Sequence, residues 1–123
     1  MPLIDLTYSA GTIAAADRPT LIDELTTKLL HWEGAPNDEF FRSIAWVHVH
    51  ELPGEAVNAA AAPVSAVKID VTVPEGALSE RRKAGLVDDL TASVHAHSTL
   101  TQDEGIRVWV LIREVPDGNW GAA

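Results

Sequence analysis

The sequence predicts an α/β (α+β) fold: two tandem β-α-β units that form one four-stranded sheet, with both helices on a single face. Two observations predict it. Strand-like alternation, amphipathic helical spacing and a second strand-like run follow one another, and the same order then recurs. The two copies also align. Laying the second over the first places Val67 on Pro2, Ile69 on Ile4, Asp70 on Asp5 and Thr72 on Thr7. In the helices Leu86 falls on Leu21 and Leu90 on Leu25; in the closing strands Trp109 falls on Trp46 and Pro116 on Pro53. Each strand–helix–strand crossover is expected to be right-handed, with its two strands parallel.

Taken in order, residues 2–8 alternate around β-formers and reach Ser9-Ala10-Gly11, a strand followed by a turn. From Asp17 to Trp32, Leu21, Ile22, Leu25, Leu29 and Leu30 make one apolar stripe, which Gly34 and Pro36 terminate. A second strand is predicted from Ser43 to Leu52, stopped by Pro53-Gly54. Residues 56–63 are alanine-rich and read as a linker or a short packed hairpin. Val64 to Val73 is the third predicted strand, Ser79 to His97 the second helix and Ile106 to Val115 the last strand. The expectation is a single domain over 1–123, made of repeats 2–55 and 66–123.

Side-chain parity assigns the faces. Ile4, Leu6, Val47, Val49, Ile69, Val71, Val110 and Ile112 share a face suited to the helices. Asp5, Trp46, His48, His50, Asp70, Trp109 and Arg113 fall on the other, which is too polar for a core yet carries two tryptophans. An oligomer whose sheets surround a wet centre satisfies both features.

Bulk properties exclude several functions. A net charge of -9 with only 9 Lys plus Arg argues against nucleic acid and anionic membrane surfaces. A small carboxylate must then be held by a local arginine. No apolar run reaches the ~20 residues of a membrane span, and no signal peptide is evident. Zero cysteines exclude disulfides and fit a cytoplasmic location. His48 and His50 have a spacing that can bind zinc, but with no third ligand in view other than Glu51 on the opposite face, no metal and no cofactor is expected.

Pro2 is the candidate catalytic residue. Removal of Met1 leaves a secondary amine at the mouth of a strand, and a partly dry setting disfavours its ammonium form, making it a usable general base.

On Met1-Pro2-Leu3-Ile4, Gly11, the doubled unit and the tail Glu114-Val115-Pro116-Asp117-Gly118-Asn119-Trp120, the chain resembles the tautomerase superfamily, whose members use an N-terminal proline. Short members such as 4-oxalocrotonate tautomerase carry one unit per chain, and fused two-unit members form trimers, so the resemblance implies a homotrimer. It also implies Pro2 as base or acid, no active amine at Val67, and Trp120 as the aromatic that closes the pocket. The segment Gly34-Ala35-Pro36-Asn37-Asp38 is similar to one in malonate semialdehyde decarboxylase, which implies Asp38 as a carboxylate that activates water. Thr12 and the loop Val73-Pro74-Glu75-Gly76-Ala77 lack arginines that members carry there. Arg107, two residues before Trp109 on the last strand, and Arg42 remain as candidates for binding the carboxylate, with Trp109 a further substrate-binding candidate.

The expected function is tautomerisation of a small enol or 2-keto acid with Pro2 as base. The alternatives are hydration, dehalogenation or decarboxylation of a short unsaturated or semialdehyde acid with Pro2 as acid and Asp38 handling water, or a trimeric binding protein without catalysis.

Overall fold

The computed structural model describes residues 2–121. The elements run β1 (Leu3–Ser9), α1 (Arg18–Glu33), α2 (Glu39–Ser43), β2 (Trp46–Leu52), β3 (Asn58–Ala59), β4 (Ala62–Pro63), β5 (Val67–Pro74), α3 (Glu80–Ala96) and β6 (Val108–Val115). The main sheet has the order β2-β1-β5-β6. Within each unit the strands are parallel, β1 with β2 and β5 with β6, while β1 and β5 pair antiparallel at the centre. The predicted class and the two-helix layer are thus observed.

The inner strands bury their helix-facing residues completely: Ile4, Leu6, Ile69 and Val71 pack with Leu21, Leu25, Leu86 and Leu90. Each such side chain contributes about 1.5–3 kcal/mol by leaving water. Val47, Val49, Val110 and Ile112, on the edge strands, are only partly covered. Pro19 sits in the first turn of α1, where its missing N–H costs nothing. Gly34 ends that helix in the left-handed region, with φ 73°. The two helices are fastened side by side. Trp32 Nε1 donates to Asp89 Oδ2 at 2.7 Å, and Lys28 Nζ to Ser93 Oγ at 2.6 Å. At the crossing Gly85 leaves room for the Trp32 ring.

Three boundaries differ from expectation, each for a local reason. The second strand begins at Trp46 rather than Ser43, because Asp38 caps the short helix α2 by accepting the Phe41 N–H at 2.9 Å. The third begins at Val67 rather than Val64, since Val64 N–H bonds Val57 and Ala66 N–H bonds the Ser9 hydroxyl. The last begins at Val108 rather than Ile106, because the Glu104 carboxylate accepts the Thr101 N–H and winds residues 102–107 into a 3₁₀ turn.

Of the two readings of residues 56–63, the hairpin is the one observed: β3 and β4 pair antiparallel through Ala60-Ala61. Both turn residues have positive φ, 51° and 60°, the backbone of a type I′ turn that favours Asn-Gly. Holding alanine there costs roughly 1–2 kcal/mol per residue. The double change Ala60→Asn with Ala61→Gly is therefore expected to raise stability by about 1 kcal/mol, after glycine's greater freedom in the unfolded chain is subtracted. Denaturant titration checks it; an unchanged midpoint refutes it. Among the described residues no helix is long and apolar enough to cross a membrane.

Candidate active site

Because β1 and β5 run in opposite directions, each end of the sheet gathers the start of one unit and the finish of the other. At one end, the starts of β1 and β2 meet the ends of β5 and β6. Here Pro2, Leu3, Ile44, Trp46, Thr72, Val115, Asn119, Trp120 and Gly121 line a cavity of about 580 Å³. Pro2 is buried, and its carbonyl is held by the Trp46 N–H at 3.1 Å. The lining is mainly apolar, with Thr72 and Asn119 as its polar members, and no charged side chain among the described residues belongs to it. Pro2 and Trp120, singled out from the sequence, are brought together. Thr72 and Asn119 were not anticipated; the turn-forming Pro116-Asp117-Gly118 beside Asn119 was the available signal.

The other candidates stand elsewhere. Asp38 is exposed and engaged as the cap of α2. Arg42 Nη1 donates to Asn37 Oδ1 at 2.9 Å and to Thr27 Oγ1 at 3.0 Å, while its Nη2 pairs with Asp23. Thr12, in the place of an expected arginine, is fully buried and shares a hydrogen bond with Ser9. Burial pushes the Glu33 carboxyl above the usual range, but Glu33 ends α1 and is not part of the lining.

Arg107 and Trp109 line a second cavity, of about 370 Å³, at the opposite end of the sheet. It is the counterpart of the first. Leu3 stands opposite Trp46 in one ladder as Lys68 stands opposite Trp109 in the other. Val67 takes the place of Pro2, Arg107 that of Ile44, and Val57 that of Trp120. Seven residues separate the level of Val67 from that of Pro74, about 23 Å along a strand, so Arg107 cannot reach the Pro2 cavity of its own chain.

The open face of the sheet is polar, as parity predicted. Asp70 is held by Lys68 at 3.3 Å and Arg113 at 3.1 Å. Asp5, at the matching level of β1, faces His48 and His50 instead.

Four strands in this order with two helices on one face make the tautomerase fold, and the chain has that fold. Solved structures agree over nearly its whole length. Pt0534 inactivated by 2-oxo-3-pentynoate superposes with a TM-score of 0.84 at 20% identity, covering 98% of this chain and 91% of that one. A fused 4-OT in a symmetric trimer gives 0.81 at 21% identity, covering 98% and 91%. A member of the cis-3-chloroacrylic acid dehalogenase family gives 0.80 at 24% identity, covering 98% of this chain and 79% of that one. No protein-family model matches the sequence, and no curated protein matches it.

Proposed function

We propose that the protein is a proline-dependent tautomerase acting on a small enol or 2-keto acid. The observation that carries this reading is the burial of Pro2 in an apolar cavity walled by Trp46 and Trp120. With Met1 removed, an apolar surround favours the neutral amine. In that form Pro2 accepts a proton from the substrate and returns it at the neighbouring carbon, leaving substrate and product isomeric. Asn119 and Thr72 are the polar groups available to orient the oxygen.

The substrate carboxylate needs a cation that the lining lacks. We assign it to Arg107 of a neighbouring copy in a homotrimer, since that side chain cannot serve its own Pro2. Two features support assembly. The similar fused 4-OT is a trimer. Trp46 and Trp109, at matching levels of the two ladders, are 63% and 61% exposed, an arrangement suited to another subunit. Arg42 is the weaker candidate because its guanidinium is already engaged by Asp23, Asn37 and Thr27. Asp38, committed to capping α2, gives the water-activating alternative no support.

The test is alkylation by 3-bromopyruvate followed by intact-mass and peptide mapping. The expected result is loss of Met1 and one adduct on Pro2, formed faster than on a free Pro-Leu-Ile peptide. Equal rates, or a retained methionine, would overturn the proposal.

A further inference from the structure

Sheet pairing places a carboxylate beside the two histidines of β2, a third potential donor that their own strand does not supply. Parallel pairing sets Asp5 of β1 opposite His48, on the polar face that His50 shares two residues along. Asp5 Oδ1 lies 2.8 Å from His50 Nε2 and 3.9 Å from His48 Nδ1. Ligand atoms from the three residues all fall within 4.8 Å of one another. Donors about 2.0–2.2 Å from a tetrahedral ion stand roughly 3.4 Å apart, which these separations bracket.

From this geometry we infer that Asp5, His48 and His50 form a binding site for a divalent first-row transition ion of the zinc class. Two imidazoles and one carboxylate exclude a preference for magnesium or calcium, which take oxygen donors. Three protein ligands leave a coordination position to water, on a face where both histidines are about half exposed. The positions are fixed by the backbone ladder, and the Trp46 ring stacks on His48 with centroids 6.2 Å apart, so the ligands are held in place before an ion arrives.

The second unit serves as an internal control. At the equivalent level of its ladder, Asp70 stands opposite Leu111, and Arg113 takes the position that His50 has beside Asp5. There the carboxylate is satisfied by Arg113 and Lys68, an ion-pair solution with no ligand lone pairs facing it. Had Asp5 needed only a charge partner, the same solution was open to it. Two imidazoles stand beside the Asp5 carboxylate instead: without an ion His50 Nε2–H donates to Asp5 Oδ1 at 2.8 Å, and loss of that proton to an incoming cation frees the nitrogen as a ligand.

The experiment is calorimetric titration of the untagged protein with Zn²⁺, repeated with Co²⁺ while its visible absorption is followed. The expected result is one ion per chain, with Co²⁺ bands of a four- or five-coordinate site and no uptake of Mg²⁺. His48→Gln and His50→Gln, both at exposed positions, should each weaken Zn²⁺ by more than about 100-fold, beyond the cost of losing a mere supporting contact. Asp5→Asn gives a third variant, and circular dichroism confirms that each is folded. Unchanged affinity in any two of these folded variants would overturn the inference, as would wild-type binding no tighter than millimolar.

Discussion

Pro2→Ala is expected to lower kcat for the proposed tautomerase reaction by about 100-fold or more, towards the range that a positioned general base contributes. The variant keeps an amine at the chain start but loses the ring that fixes its direction. KM should change little, because the walls formed by Trp46, Val115 and Trp120 remain. The backbone contact from the Trp46 N–H to the residue-2 carbonyl is also retained, so the fold should survive. Turnover of phenylenolpyruvate or 2-hydroxymuconate provides the readout. Undiminished kcat in the folded variant would remove the proline from the mechanism.

The second large effect is on stability. In Gly85→Ala the new Cβ would lie 2.2 Å from Trp32 Cη2 and 2.5 Å from two further ring carbons. The ring cannot swing away freely, because Nε1 is tied to Asp89 across the helix pair. Overpacking of this kind costs about 1–3 kcal/mol, while alanine returns at most about 1 kcal/mol of helix propensity. The net expectation is a loss of about 1–2 kcal/mol, roughly 5 °C or more in Tm. Trp32→Leu should rescue it: in a double-mutant cycle the pair couples by more than about 0.5 kcal/mol. A Gly85→Ala protein as stable as the parent would show that α1 and α3 can separate without penalty.

The sheet and its two helices were legible because alternation and helical spacing are local, and the strands' buried faces followed from parity alone. The start of β2 was misplaced because α2 is too short to show a period: Phe40-Phe41 resembles the approach to a strand until Asp38 is seen capping it. At the site, the sequence pointed to Pro2 through the Met1-Pro2 start ahead of a strand, and to Trp120 through the resemblance carried by the tail. What it could not give was the antiparallel meeting of β1 and β5, which sends Arg107 to the far end of the sheet. The closeness of Asp5 to the two histidines went unread for a related reason. Parity put it on the face of His48 and His50, but only the register of neighbouring strands says that it stands beside them.

The pairing of a proline-headed recess with a valine-headed one also governs how molecules are counted. Only a chain terminus can offer a free imino nitrogen; at position 67 the nitrogen is locked in a peptide bond, whatever residue occupies it. With Met1 removed and Pro2 reactive as proposed, a covalent reagent is therefore expected to saturate at one equivalent per polypeptide although two recesses exist. Such half-filling has its origin in connectivity, and it should not be mistaken for negative cooperativity between sites.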